Sequence, residues 1–362
     1  MSPARLAALL LACLIPCLSA ADTLRVASFN AELQRDGPGL LLRDIGRGDD
    51  PQIAAVTEVI ARAAPDILAL QGIDWDYDGL TLNALAEVLQ AAGADYPHRF
   101  AARPNTGMTT GLDLDGDGRL GEPEDAQGFG SFTGQGGLAV LSRYPILTEE
   151  VQDFSGLLWR DLPDALLPVR PDGTPFPSAE AQAALRLSTT AHWAVPIALP
   201  DGGRLVLLTF HATPPVFDGP EDRNGRRNHD EIRFWQLYLD GAFGPAPTQR
   251  FVIAGDANLD PFDSDGQQEA IRALLADPRL QDPMPRSAGA AMAADQGHAG
   301  PDAADTVDWD GPGRLRVDYV LPSADWTVAA SGMVWPAPGA EGHEAALTAS
   351  RHRLVWVDLR FD

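Results

Sequence analysis

The sequence predicts one α+β domain with a layered β-sheet core. Strand-like and helix-like segments alternate in the first part of the chain, and strands with occasional helices follow. No internal repeat of fixed period and no clean linker interrupts this order. Both observations favour sheets packed against helices in layers. The chain has 362 residues, of which 45% are hydrophobic, so it is long enough to bury a large core.

The first segments differ in their hydrophobic period. Residues 24–29 alternate apolar with small or polar side chains, which predicts a strand. Apolar residues at helical spacing predict a helix over 51–64, and its first residue is a proline, which suits a first turn. A short apolar run at 67–70 predicts a second buried strand, and an amphipathic pattern predicts a helix over 81–92.

The later segments are mostly strands. Apolar runs predict them at 137–142, 191–197, 204–210, 251–254, 315–321 and 354–361. Helical patterns cover 231–239, with Asn228 and Asp230 as the expected caps, and 267–275. A Gly/Ala-rich stretch at about 286–304 is typical of a surface loop.

Charge restricts the classes of partner. The formal net charge is −24, the sequence pI is about 4.5, and every basic side chain is arginine. Such an acidic chain argues against a broad nucleic-acid-binding face, because phosphate contacts need clustered cations. We therefore expect no stable nucleic-acid partner. A local cluster with Arg226 and Arg227 could bind an anionic substrate group, or it could pair with acidic neighbours such as Glu221 and Asp222.

The first 20 residues have the features of a secretory signal peptide. A basic residue at Arg5 precedes an apolar run over 6–18 and a small-residue ending at Ala20. Cleavage there would remove both cysteines of the chain, Cys13 and Cys17. A lipidation site at Cys13 is the weaker alternative. The sequence thus predicts a secreted or periplasmic monomer, with one domain over 22–362 and no transmembrane segment in the mature chain.

Several predicted strands end in a polar residue. The run at 251–254 leads through a glycine to Asp256 and Asn258, whose side chains would point to the same side of an extended chain. That pair suits a divalent cation or a phosphate oxygen, although a plain turn would use the same residues. The strand-end residues that share this property are Asn30, Gln71, His211, Asp256, Asp318 and His352.

These strand ends resemble the motifs of the endonuclease/exonuclease/phosphatase superfamily, which includes pancreatic-type deoxyribonuclease. The matching pieces stand in family order: SFNAE at 28–32, PDILALQ at 65–71, GLAVLSRYPI at 137–146, GDAN at 255–258, RVDYVL at 316–321 and SRHRLV at 350–355. The resemblance implies a four-layer α/β sandwich, with two packed mixed β-sheets flanked by helices and the site at one end. It also implies a phosphoesterase that acts on a small-molecule, nucleic-acid or lipid phosphoester.

The resemblance implies a role for each strand-end residue. His352 would activate or orient the attacking water, with Asp318 as its partner. Asp256 and Asn258 would position the nucleophile and the phosphoryl oxygens. His211 would contact the phosphate. Asn30 and Glu32 fall on the metal-binding pair of the first strand, so Mg²⁺ or Mn²⁺ is expected near Glu32 and Asp256.

Two positions depart from the family pattern. Gly72 stands where the family has a metal-binding glutamate, and Arg351 stands where it has an aspartate before the histidine. The sequence leaves three interpretations open. A metal could bind in a changed position, with Asp74 or Asp76 nearby, or Arg351 could replace the cation and bind substrate phosphate. In the third, catalysis has been lost, and the chain is a phosphate-ligand or interaction protein.

A second motif predicts a calcium loop within an insertion at about 103–130. Asp113, Asp115, Asp117 and Glu124 occupy positions one, three, five and twelve of a D-x-D-x-D-G loop, with Gly118 at position six. The alternative is an acidic surface loop. We expect a structural Ca²⁺ ion there.

Overall fold

Two mixed β-sheets pack face to face in the computed structural model, which describes residues 23–293 and 295–361. The predicted signal peptide and both cysteines lie outside the described residues. The strands are β1 (Thr23–Asn30), β2 (Ile67–Ile73), β3 (His98–Phe100), β4 (Gly137–Ser142), β5 (Gln152–Asp153), β6 (His192–Ala198), β7 (Arg204–His211), β8 (Phe251–Asp256), β9 (Val307–Trp309), β10 (Gly313–Leu315), β11 (Asp318–Pro322), β12 (Thr327–Met333) and β13 (Val355–Arg360). The α-helices are α1 (Leu40–Arg47), α2 (Pro51–Ala63), α3 (Leu80–Ala91), α4 (Ala179–Ala184), α5 (Arg223–Leu239), α6 (Glu269–Leu275), α7 (Ala288–Met292) and α8 (His343–Ala349).

The layers are helix, sheet, sheet, helix, as predicted. One sheet has the order β12-β13-β1-β2-β4-β3, and the other has the order β11-β8-β7-β6-β5. Helices α1, α2, α3 and α8 cover the outer face of the first sheet, and α5 and α6 cover that of the second. A third apolar cluster fills the space between the two sheets. The predicted four-layer α+β fold is therefore confirmed.

Strand β8 shows why the central strands are apolar without interruption. Val252 and Ala254 point into the layer between the sheets, whereas Phe251 and Ile253 pack under the helices of the outer layer. Successive side chains of a strand face opposite ways, so a strand buried on both faces must be apolar at every position. The polar residue that ends such a run is thereby placed at the edge of the core.

Some elements differ from the sequence prediction. Helix α5 begins at Arg223, eight residues before the predicted start, because the side chains that this first part buries are polar and give no hydrophobic period. Asp230, predicted as a cap, is instead buried within α5 and accepts hydrogen bonds from Trp159 Nε1 and the Leu166 amide, both at 2.7 Å. The stretch 286–304, predicted as a surface loop, contains α7, whose Ala290 is buried between the sheets.

The sheet register gathers the strand ends. In the first sheet, the parallel neighbours β1 and β2 place Asn30 opposite Gln71. In the second sheet, β7 and β8 are also parallel and place His211 opposite Asp256, which pairs in turn with Asp318 of β11. Because parallel strands end at the same edge of a sheet, these residues lie at one end of the sandwich. Strand β13 runs antiparallel to β1, so the segment that enters it, with His352, lies at that end too.

No helix within the described ranges is long and apolar enough to cross a membrane.

Candidate active site

Asp256 lies at the centre of the polar cluster. Its side chain is fully buried, and its Oδ2 accepts a hydrogen bond from Asn30 Nδ2 at 2.9 Å. The same oxygen lies 3.4 Å from His211 Nε2 and 3.8 Å from His352 Nδ1. Oδ1 accepts the backbone amide of Asn258 at 2.8 Å. Four of the residues predicted for catalysis thus surround one carboxylate.

Asp318 fixes the orientation of His352. The Nδ1 atom of His352 lies 3.0 Å from Asp318 Oδ2, and that oxygen also accepts the hydroxyl of Thr306 at 2.8 Å. Nε2 of His352 makes no hydrogen bond to the described part of the chain, and the ring meets Trp309 edge to face at 5.5 Å. A carboxylate at Nδ1 sets the tautomer and leaves Nε2 to act on a substrate.

The two histidines of the cluster differ in charge. Burial alone would lower the pKa of His352, but the carboxylates of Asp318 and Asp256 outweigh it and raise that pKa to about 9. Burial lowers the pKa of His211, and Asp256 only partly offsets this effect. Burial also raises the pKa of Asp256 above its ordinary value. At neutral pH the cluster therefore contains one imidazolium, His352, and one neutral imidazole, His211.

Asn258 has a backbone conformation that suits its residue type. Its φ of 50° lies in the left-handed region, where asparagine is less strained than most residues. Its Nδ2 donates to the Ala212 carbonyl at 2.9 Å and lies 3.3 Å from Asp256 Oδ2. These bonds tie the chain after β8 to the chain after β7, so that Asn258 and His211 keep a fixed relation.

Three buried residues support the cluster, and the sequence did not predict this role for any of them. Thr306 bonds Asp318, as above. Asn228 of α5, expected to cap that helix, donates instead to the carbonyls of Thr213 and Ala257 at 2.7 and 2.8 Å. Arg353 donates to the Ser350 and His352 carbonyls at 2.5 and 3.1 Å. Each is a polar residue in a segment with no apolar period, so no pattern in the sequence could show that it is buried.

Glu32, predicted as a metal ligand, is bound by Arg351. Its Oε1 accepts Nε of Arg351 at 2.9 Å and also Nη2 of the same guanidinium. Its Oε2 accepts the Arg351 backbone amide at 2.8 Å and the Ser350 hydroxyl at 3.0 Å. Burial would raise the pKa of Glu32, but the hydrogen bonds from Arg351 outweigh it and the pKa is lowered. Both carboxylate oxygens are thus already hydrogen-bonded.

Gly72 leaves no room for a side chain. Its φ is +73°, and a Cβ at this position would lie 2.5 Å from Asn30 Oδ1 and 2.8 Å from the Glu32 backbone nitrogen. Such contacts are far closer than carbon atoms allow, so Asn30 and Glu32 occupy the place that a side chain at 72 would need. The β2–β4 ladder is also irregular between Gln71 and Ile73. A carboxylate at position 72 would have to displace the Asn30 amide from Asp256.

The neighbouring carboxylates are also bound. Asp74 accepts the backbone amides of Arg35 and Gly136, both at 3.0 Å. Asp76 accepts two amides at the start of α3, at 2.9 and 2.7 Å. Both carboxylates thus hold backbone amides, and neither belongs to a group of three acidic or histidine residues close enough to share an ion within the described ranges.

The residues present do not fit the expected Mg²⁺ or Mn²⁺ at Glu32. Such an ion prefers oxygen ligands, and the Glu32 oxygens already bond Arg351 and Ser350. Among the described residues, acidic groups close enough to share an ion occur at two other places: Asp256, Asp318 and His352, and the loop residues Asp113, Asp115 and Asp117. In the first group, Asp318 and Asp256 raise the pKa of His352 to about 9, so an ion bound there would compete with the His352 proton.

Arg227 does not line the site, contrary to the prediction that it binds substrate. It is 5% exposed, and its guanidinium donates to the backbone carbonyls of Leu187, Gln127 and Arg186 at 2.9, 2.6 and 2.7 Å. Arg226 is half-buried, and its Nε donates to the Glu221 carbonyl at 3.2 Å. Arg227 therefore holds two stretches of backbone, one at Gln127 and one at 186–187, against α5.

The two adjacent arginines should differ in their effect on stability. We expect Arg227→Ala to lower the free energy of unfolding by about 3 kcal/mol, since three buried carbonyls lose a charged donor. Arg226→Ala, the matched control, should change it by less than about 1 kcal/mol, since it breaks a single partly exposed bond. Urea unfolding followed by tryptophan fluorescence measures both values. Equal losses of unfolding free energy in the two variants would show that the hydrogen bonds of Arg227 do not hold the backbone in place.

The predicted calcium loop brings together three of its four carboxylates. Those of Asp113, Asp115 and Asp117 lie close enough to share an ion, whereas Glu124 does not belong to that group. The buried acid that closes the loop is Asp125, which accepts the amides of Leu114 and Gly121 at 2.8 Å each. Glu124 is therefore not the position-twelve ligand that the spacing predicted, because its neighbour Asp125 points inward instead.

Calcium should stabilise the protein if the three aspartates bind it. At a concentration of 100 times its Kd, a ligand of the folded state adds about 2.7 kcal/mol, enough for a rise of several degrees in Tm. We expect EDTA to lower the Tm, Ca²⁺ to restore it, and Asp115→Ala to abolish the shift. Asp95→Ala, which removes an exposed aspartate before β3, is the control. A wild-type Tm that neither EDTA nor Ca²⁺ changes would refute the prediction that this loop binds calcium.

Comparisons with known proteins agree with this architecture. A sequence model of the Endonuclease/Exonuclease/phosphatase family matches residues 27–352. A solved endonuclease/exonuclease/phosphatase from Beutenbergia cavernae DSM 12333 is 20% identical, with a TM-score of 0.54 over 94% of this chain and 72% of that one. A family protein from Leptotrichia buccalis C-1013-b is 17% identical, with a TM-score of 0.52 over 93% of this chain and 100% of that one. No curated protein sequence matches the chain. The two structures show the same fold.

Proposed function

The chain belongs to the endonuclease/exonuclease/phosphatase family, and on that premise we propose that it hydrolyses a phosphoester bond by attack of a water molecule at the Asp256–Asp318–His352 cluster. The family is generally hydrolytic on phosphoester bonds, and its members include phosphodiesterases, nucleases and phosphatases. One observation carries the proposal: Asp318 Oδ2 lies 3.0 Å from Nδ1 of the buried His352, beside a second carboxylate, and Nε2 has no hydrogen-bond partner among the described residues.

Each group has a task in this reaction. The N–H at Nε2 of His352 donates a hydrogen bond to a phosphoryl oxygen, where negative charge grows as water attacks. As the water oxygen bonds to phosphorus, Asp256, whose pKa burial raises, accepts a proton from it. The P–O bond to the alcohol then breaks, and solvent protonates the departing alcohol oxygen. His211 contacts a phosphoryl oxygen, and Asn30 and Asn258 keep the Asp256 carboxylate in place. Metal ions generally supply charge neutralisation in this family, and no step above depends on one.

We propose a secreted or periplasmic location, which rests on the pattern of residues 1–20. N-terminal sequencing of the protein exported by its natural host tests it, and a mature chain that begins near Ala21 is expected. We also propose that the protein is a monomer, that its substrate is a phosphoester, and that it has no stable nucleic-acid partner.

A substrate screen tests the proposed reaction. The purified protein is incubated with bis-(p-nitrophenyl) phosphate, p-nitrophenyl phosphate, DNA, nucleotides and phospholipids, each with EDTA, Mg²⁺ or Mn²⁺. We expect turnover of at least one of these phosphoesters. No turnover under any condition, with phosphoester binding retained, would favour the second candidate, a ligand-binding protein. The Arg351–Glu32 pair at the expected metal position is the observation that favours that alternative.

A further inference from the structure

We infer that the Arg351 guanidinium, oriented by Glu32, binds the substrate phosphoryl group in the place where a divalent cation would act. The catalytic part of this inference rests on the proposed function, and the binding part does not. It predicts a phosphoesterase that needs no metal at its active site.

The first support is the hydrogen bonding of Glu32. Each of its oxygens accepts two bonds, one pair from the Arg351 guanidinium and the other from the Arg351 amide and Ser350. A metal could bind Glu32 only after these bonds broke, and its charge would then face the guanidinium. The carboxylate instead serves to hold a fixed cation.

The second support is the glycine at 72. Its hypothetical Cβ collides with Asn30 and with the backbone of Glu32. The place of a second carboxylate is therefore filled by the groups that position Asp256 and Arg351. Gly72 lacks a metal-binding carboxylate, and Arg351 supplies a positive charge. The two changes belong to one arrangement, in which the guanidinium takes the place of the metal ion.

The third support is the set of donors that Arg351 keeps free. A guanidinium carries five N–H groups. Nε and Nη2 face Glu32, and Nη1 has no partner within the described ranges. The side chain is 63% exposed, yet its backbone is adjacent to the buried His352. Glu32 bonds the Arg351 guanidinium, and its charge also acts on His352, so both cations lie around this carboxylate. A phosphoryl group beside it could therefore face Arg351 and His352 together, in the planar geometry that arginine offers to phosphate.

The charge of this site favours a diester. Its carboxylates are Glu32, Asp256 and Asp318, with Asp310 also close to Arg351, and its cations are Arg351 and His352, so acidic side chains outnumber basic ones. A phosphomonoester adds a charge of about −1.5 to −2 at pH 7, whereas a diester adds a single negative charge. Without a divalent cation the dianion is repelled more strongly. We therefore infer a phosphodiester as the substrate class.

Binding of dimethyl phosphate tests the inference without any need for turnover. Its dissociation constant is measured by ³¹P NMR titration under three conditions: with EDTA, with Mg²⁺, and with Ca²⁺ as the sole divalent ion. The third condition is needed because EDTA could also remove Ca²⁺ from the loop that contains Asp113. We expect the same value in all three. Arg351→Ala should raise it tenfold or more, because charged hydrogen bonds are lost. Arg204→Ala is the matched control: Arg204 is a similarly exposed arginine, paired with Glu150 at 2.7 Å, at the opposite end of β7 from His211.

Turnover of bis-(p-nitrophenyl) phosphate extends the test. We expect the wild type to keep its rate after EDTA treatment and to prefer this diester to p-nitrophenyl phosphate. Arg351→Ala should lose most of the rate, Mg²⁺ should not restore it, and free guanidinium ion should restore part of it. The rate of Arg351→Lys should lie between those of the wild type and Arg351→Ala, because lysine keeps the charge and loses the planar pair of donors. Thermal unfolding checks that each variant is folded.

The outcomes separate this inference from the proposed reaction. Turnover or binding that EDTA removes and Mg²⁺ restores would overturn the inference and leave the hydrolytic function intact. Wild-type affinity in Arg351→Ala would overturn it as well. Arginine-dependent binding without any hydrolysis would support the inference and contradict the reaction. Failure to bind or hydrolyse under every condition would contradict both.

Discussion

Replacing His352 with asparagine is expected to lower turnover about a thousandfold, the upper end of the range for removing one donor that stabilises charge in the transition state. The asparagine amide can still donate to Asp318 from near the position of Nδ1, but no atom replaces Nε2. Asp318 therefore keeps a partner, and the variant should fold. Steady-state rates on the best substrate of the screen measure the loss. His98→Ala is the control, because His98 lies at the end of the first sheet away from the site, opposite Ser142 of β4.

The same variant should remove a dependence of stability on pH. The pKa of His352 is raised from its ordinary 6.5 to about 9 in the folded protein. A raised pKa means that the charged imidazole stabilises the fold fully below pH 6.5, and that this contribution is lost as the pH rises through about 9. Wild-type unfolding free energy and turnover should both fall between pH 7 and pH 10.

Urea unfolding at several pH values checks this difference. The decrease in unfolding free energy over that range should be smaller in His352→Asn than in the wild type or in His98→Ala. A variant that keeps the full wild-type pH profile would show that another group titrates, and near-normal turnover would remove His352 from the proposed reaction.

Replacing Asp256 with asparagine is expected to abolish turnover at a modest cost in stability at neutral pH. Burial raises the pKa of Asp256, so this carboxylate favours folding only below its ordinary pKa of 3.8 and disfavours it as the pH rises. A neutral amide of the same shape avoids that cost, but its NH2 group must face one of the two donors that the carboxylate accepts, Asn30 Nδ2 or the Asn258 amide. The reaction, however, loses the group that accepts the proton, and we expect at least a thousandfold decrease in rate. The pKa of His352 should also fall, because Asp256 is one of the carboxylates that raise it.

Asp277→Asn is the comparison variant, in which stability rather than turnover is expected to fall. Asp277 is also buried, but Arg279 bonds it at 2.6 Å and lowers its pKa, so its charge favours the fold at neutral pH. This variant should lose stability and keep its turnover. Proton NMR of the histidine rings, chemical denaturation and rate measurements together distinguish the two variants. An Asp256→Asn protein less stable than Asp277→Asn, or an unchanged pKa at His352, would contradict the charge balance described for the cluster.

The sequence predicted much of the fold because the spacing of apolar side chains indicates which face of an element is buried. Strand β4 has the predicted bounds, and β8 extends the predicted run by the two residues that bring Asp256 to its end. Helix α1 and strand β12 were missed. In β12 most side chains of the first five residues are exposed, so the strand lacks the apolar alternation that would reveal it. Its pairing with β13 comes from backbone hydrogen bonds, which any sequence can make.

The sequence by itself determined the fold class, the family and the set of polar residues at the strand ends, since each depends on local order along the chain. Only the tertiary structure decided what those residues contact. Glu32 and Arg351 stand 319 positions apart in the chain, and their ion pair follows from the pairing of β1 with β13. The burial of Arg227 depends on carbonyls that other segments bring to it. Periodicity indicates which apolar groups of one element are buried, whereas charges pair across elements. The sequence could therefore name Arg351 as one possible cation, but only the folded chain shows that Glu32 holds it.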